Sequence, residues 1–113
     1  MPYTVVGKNT MLDNLGVTHV SAHTAAPGES GINEVTGGTY ARKSITFTAA
    51  TAGNLDSSNA PVIDVPAATT VAFIGYWSAL TGGTFLGYSD IADEAYTNAG
   101  TLTITTADLD LNL

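Results

Sequence analysis

His19 and His23 are the only two histidines of the chain, and their H-x3-H spacing is that of a metal pair on a helix. The residues around them alternate like a strand, where four positions span roughly 13 Å at about 3.3 Å each, too far for one ion. No third ligand lies nearby in sequence, so both read as exposed strand histidines. Asp90, Asp93 and Glu94 cluster, but calcium takes about six to eight oxygens and the spacing is not that of an EF-hand loop. A solvated acidic loop is the better reading. Asp108 and Asp110 share one strand face and read as charges that blunt a terminal edge. Covalent chemistry finds no support. There is no cysteine, no G-x-S-x-G, and no Ser/His/Asp set whose proximity the spacing implies. Gly37-Gly38 and Gly82-Gly83 lack the lysine that follows a phosphate loop. No carboxylate pair is singled out for acid–base work. The expectation is a protein that is not an enzyme and carries no cofactor or metal.

Two groups of residues remain. Arg42 is one of three basic residues in the chain and adjoins Lys43, so the two side chains should point to opposite faces of a strand. Glu34 lies in the loop before it. If that loop folds back, Glu34 and Arg42 form a bidentate pair that pins it; this structural role is preferred to ligand binding. The aromatics Tyr76, Trp77, Tyr88 and Tyr96 could make a sugar-stacking platform. Trp77 shares strand parity with Val71 and Phe73, which argues for core packing, while Tyr76 and Tyr88 flank the Gly82-Gly83 turn and are expected to stay partly exposed.

The elements that must position these groups are mostly short strands. Residues 3–6 read as a first strand. Residues 9–15 read as the one short helix, capped by Asn9 or Thr10, with Met11, Leu12 and Leu15 on one face and Gly16 ending it. Residues 17–23 alternate, with Val20 and Ala22 opposite His19, Ser21 and His23. A Gly-rich excursion follows over residues 24–39, a loop long enough to be functional or to pack on its own terms. Residues 40–48 alternate again, and residues 49–60 read as loop. Residues 61–65 form a strand bounded by prolines, which favours an edge. Residues 69–78 are apolar on both faces, as in a central strand covered on both sides. A turn at Gly82-Gly83 leads into residues 85–89, residues 90–100 read as an irregular connection, and residues 101–105 and 108–113 alternate. Many short strands without long helical periodicity indicate an all-β fold. The expected architecture is an antiparallel β-sandwich, Ig-like or jelly-roll-like, with one short N-terminal helix. The expected organisation is an N-terminal arm over residues 1–8 and a single domain over residues 9–113.

Composition narrows the role. The chain has 113 residues and a formal net charge of −7. That charge should be repelled by nucleic acid and by anionic membranes, and neither is an expected partner. Only 12% of residues are charged while 44% are hydrophobic, against roughly 25% charged in an average domain. Such a surface suits a protein that is covered by neighbours in an assembly. No basic-then-apolar leader opens the chain, and no apolar stretch has the length to cross a bilayer.

Asn9-x-Met11-Leu12-x-x-Leu15, then His23-Thr24-x-x-Pro27-Gly28, then Gly31-x-Asn33-Glu34-x-x-Gly37-Gly38-x-Tyr40-Ala41-Arg42, and finally Ile74-Gly75-x-Trp77 with Gly83-x-x-Leu86-Gly87 make up a recognisable order. It resembles a small β domain of tailed-bacteriophage virion proteins, both tail-fibre-like proteins and head-decoration proteins of actinobacterial phages. The resemblance spans nearly the whole chain, and residues 23–42 are its specific part. It implies a virion structural protein without catalysis. The chain shows no heptads and no collagen-like repeat of the kind that anchors a fibre. The expectation is therefore a capsid decoration protein on the outer surface of the head. It would bind the major capsid protein and itself, as a homotrimer, and stabilise the shell through many modest contacts. The alternative is a tail-associated accessory or receptor-binding module. The expected partner contacts are Pro2, Tyr3 and Val5 in the arm, and Pro27, Ile32 and Val35 in the long loop.

Overall fold

The computed structural model describes residues 3–105 and 107–110. The chain opens with helix α1, Val5–Asp13. It starts earlier than the spacing suggests, because Thr4, not Asn9 or Thr10, is the cap: its Oγ1 accepts from the Gly7 backbone N–H at 3.1 Å. That bond satisfies one of the orphan donors of the first turn, so residues 5 and 6 are helical rather than extended, and the helix crosses the expected boundary between arm and domain. Asn9 and Asp13 sit one turn apart and dock the helix instead. Asn9 Oδ1 accepts from Gly53 N–H at 2.9 Å and Asp13 Oδ1 from Ala50 N–H at 2.7 Å. Replacing Thr4 with Ala should cost about 1 kcal/mol; urea unfolding at neutral pH measures it, and an unchanged midpoint would show that docking through Asn9 and Asp13 holds the helix without its cap.

Among the described residues eight strands follow: β1 His19–His23, β2 Lys43–Ser44, β3 Asn54–Asp56, β4 Val62–Val65, β5 Thr69–Trp77, β6 Phe85–Tyr96, β7 Gly100–Thr103 and β8 Asp108–Asp110. All pairings are antiparallel. One four-stranded sheet has the order β2-β1-β5-β6, and two ribbons pair β3 with β8 and β4 with β7. The fold is a small all-β sandwich with one N-terminal helix. Its main core lies between the sheet and the β4–β7 ribbon. Val20, Ala22, Val71, Ile74 and Tyr76 from the sheet meet Ile63 and Val65 of β4, together with Ile45, Ile104 and Ala107. A smaller cluster of Leu12, Ala50 and Leu55 joins the helix to β3, with Phe47 and Leu109 touching both clusters.

Three differences from the sequence reading have physical causes. The expected strand over residues 40–48 contributes only Lys43–Ser44 to the sheet, because Tyr40 and Arg42 are drawn into side-chain bonds described below. The expected irregular connection after residue 89 is instead the continuation of β6 to Tyr96. In β5 the register shifts between Val71 and Phe73. The extra residues lie on β6, where Glu94 and Asp90 stand opposite Val71 and Phe73; on β5, Val71 joins Ile74 and Tyr76 in the core. Strand β5 is nevertheless covered on both sides, as its composition implies. The part of the expected terminal strand beyond Asp110 lies outside the described residues, as does Pro2.

Candidate functional site

The second face of the sheet carries Ser21 and His23 from β1, Gly75 and Trp77 from β5, and Phe85 from β6. It is roofed by residues 24–39. The loop leaves β1, turns tightly where Gly31 and Ile32 N–H groups donate to the Pro27 carbonyl at 3.1 and 3.0 Å, and returns alongside its own start. Thr24 N–H donates to Asn33 O at 3.0 Å, Val35 N–H donates to Ala22 O at 2.9 Å, and His23 bridges Glu34. Asn33 takes φ 64° to make the reversal. Gly31 lies directly on the indole: a Cβ there would come within 2.5 Å of Trp77 Cζ2. Only glycine lets the roof come this close.

Beneath the roof is a polar chain with one consistent direction. The Ile32 carbonyl can only accept, so His23 Nδ1, 2.8 Å away, carries the proton. His23 Nε2 then accepts from Ser21 Oγ at 2.6 Å, and Ser21 Oγ accepts from the indole N–H of Trp77 at 2.8 Å. Ser21 and His23 are completely buried. Burial pushes the His23 pKa below its usual value; the Ile32 carbonyl and the Glu34 carboxylate oppose this, and the Arg42 charge adds to it. The imidazole is neutral and structural. This corrects the reading of His23 as an exposed strand residue. Its polarity looked like a solvent face because no signal in the strand itself reports that a later loop will cover it.

Above the indole sits the charge pair. Arg42 Nη2 and Nε donate to Glu34 Oε1 and Oε2 at 3.0 and 3.1 Å. Arg42 Nη1 donates to the carbonyls of Ala79 and Gly82 at 3.2 and 2.9 Å. The guanidinium carbon lies 3.5 Å from the centroid of the Trp77 ring, a cation–π contact. Tyr40 adds to the pair: its hydroxyl donates to Glu34 Oε2 at 2.8 Å and accepts from Ala22 N–H at 3.0 Å. Burial is the main cause that raises the Tyr40 pKa far above its ordinary value, so it stays a phenol. One arginine thereby ties together the long loop, the approach to β2 and the β5–β6 turn. Tyr40 and the two carbonyls went unnoticed in the sequence.

These bonds leave two surface recesses. A cleft of about 490 Å³ runs between residues 34–42 and Leu80, Thr81 and Gly82. A smaller groove of about 250 Å³ is lined by Gly28, Glu29, Phe85, Leu86, Gly87 and Tyr88. Tyr88 is exposed, while Tyr76 is buried, with its hydroxyl bonded to Ser89 Oγ at 2.8 Å; the expectation that Tyr76 stays partly exposed is corrected, since it lies two residues from Ile74 in regular register and shares its core face. Of the expected partner contacts, Tyr3, Val5 and Ile32 are exposed. Pro27 is fully buried and Val35 belongs to the core, so these two face inward, Val35 through its pairing with Ala22. Pro2 lies outside the described residues. Among the described residues, no group of three or more His, Asp or Glu is placed to hold a metal ion, and no helix is long and apolar enough to cross a membrane.

Residues 6–112 match the family model described as Gp80, Podophage GP4 fiber I protein gp80. No curated protein matches the chain. The match contains all of the helix but its first residue, the roofing loop, the arginine clamp and every strand of the described residues. The chain therefore belongs to the Podophage GP4 fiber I protein gp80 family, and it is a structural protein of the phage virion.

Proposed function

We propose that this chain is a structural module of a virion tail fibre, with no catalytic role. The observation that carries the reading is the fiber I match across residues 6–112. It favours the fibre alternative over the head-decoration expectation, and with it the tail over the outer head surface. The geometry supports a mechanical role. The Ser21–His23 contact is sealed from solvent, and the groups that resemble chemistry are spent on holding a loop to a sheet. The partners in this reading are other virion proteins, including further copies of the chain, met through exposed apolar residues such as Tyr3, Val5 and Ile32. An acidic, charge-poor surface suits such packing and disfavours nucleic acid and anionic lipid.

Gold-labelled antibody on intact virions tests the assignment by electron microscopy. Label is expected on the tail or on fibres projecting from it. Label spread evenly over the head would return the assignment to capsid decoration and make the major capsid protein the partner.

A further inference from the structure

We infer that the groove between the 28–29 turn and the start of β6 is a binding site for one neutral pyranose ring. The inference rests on the fibre reading for its biological sense, but the site stands on its own geometry. Tyr88 is 47% exposed, yet its ring is held on two sides. Phe85 lies parallel to it, with centroids 6.4 Å apart and planes 12° apart, and Phe73 meets it edge-on at 5.8 Å. Phe85 is itself fixed by Trp77 at 5.0 Å, which the arginine clamp holds from above. An exposed aromatic in one fixed orientation presents an electron-rich face at little further entropic cost. That face suits the weakly positive C–H groups on the apolar side of a sugar ring.

The rest of the groove is complementary in chemistry. Glu29 is exposed and lines the same recess, and its carboxylate accepts hydrogen bonds from hydroxyl groups. A Cβ built at Gly28 or Gly87 meets nothing within 4 Å, so the backbone at both positions borders open space. The volume of about 250 Å³ lies below the range of about 300 Å³ and upward that suits drug-sized ligands, and fits a single ring. No lysine or arginine lines the groove. With a net charge of −7, an anionic sugar is disfavoured, and a neutral hexose is the class that remains.

Saturation-transfer NMR on the isolated chain tests this with methyl β-glucopyranoside, methyl β-galactopyranoside and N-acetylglucosamine as probes, and sialic acid as the charged comparison. At least one neutral probe is expected to receive saturation through its ring C–H protons and to shift the Gly87 and Tyr88 amide signals. Tyr88→Ala should abolish the effect, Tyr88→Phe should retain it, and Glu29→Gln should weaken binding several-fold. Gly87→Val should block the groove; its backbone is not in the left-handed region and its surroundings are open, so the fold should persist. Binding that survives both Tyr88→Ala and Gly87→Val, or no response from any neutral probe, would overturn the site. Neither result bears on the fibre assignment, which rests on where the label falls on the virion.

Discussion

Arg42→Ala should lower the free energy of unfolding by about 2–4 kcal/mol and expose residues 24–39 to proteolysis. The side chains of Arg42 and Glu34 are only 11% and 21% exposed, so solvent screens the pair weakly. Removing one partner of a buried pair costs about 3–5 kcal/mol, because the remaining charge is stranded; the residual exposure here places the value somewhat lower. The loss also takes away the contact with Trp77, worth about 0.5–2 kcal/mol, and leaves the Ala79 and Gly82 carbonyls without their donor. Part of these losses overlaps, since one group makes all of them. Arg42→Lys separates charge from shape. Lysine keeps the charge but cannot make the planar two-point contact or serve two carbonyls while stacking on the indole. It should recover less than half of the loss. Urea unfolding and timed protease digestion read both effects, and a variant with an unchanged midpoint and an intact loop would sink the clamp as a stabilising element.

The clamp is also where sequence and structure can be compared most closely. Glu34 and Arg42 could be paired in advance because so few basic residues compete and one lies just beyond a long loop. The all-β class was equally legible, since the alternation over residues 17–23 and the two-sided apolar run of β5 indicate strands. What escaped was everything decided by a third element. The irregular pairing of β5 with β6 beside Val71 is announced by no local residue. Thr4 competes with Asn9 as a cap, and Asn9 loses because the 50–53 turn needs its side chain. His23 looks solvent-facing by parity, but residues 27–35 return to cover it. Two glycines mark the close packing: a Cβ at Gly31 would clash with Trp77, and one at Gly75 with Ser21 and His23. Only the structure shows that Gly31, far from Trp77 in sequence, lies on its indole.

The second large effect should appear on acidification. His23 is held neutral by burial and by a hydrogen-bond chain that has no place for another proton. If Nε2 is protonated it must donate to Ser21 Oγ, which already accepts from Trp77, and the Ser21 hydroxyl hydrogen then loses its acceptor. Burial lowers the folded-state pKa below the ordinary imidazole value of about 6.5, so the native protein binds fewer protons than the unfolded chain. Stability from this group is therefore complete above about pH 6.5 and is lost as pH falls through the unfolded value toward the folded one. Glu34 favours the charged form and softens the effect, whereas Arg42 strengthens it. The expected result is a falling urea midpoint between pH 7 and pH 5, accompanied by faster cleavage within residues 24–39, because the Ile32 carbonyl is the loop's tie to the histidine. His23→Gln removes the titration. It should be less stable than the parent at pH 7, since an unpaired buried hydroxyl costs about 1–3 kcal/mol, yet its midpoint should change little over the same interval. A parent and a glutamine variant that lose stability in parallel over that interval would mean that His23 accepts its proton without cost, and that the roof, not the neutral histidine, is what the buried chain of bonds depends on.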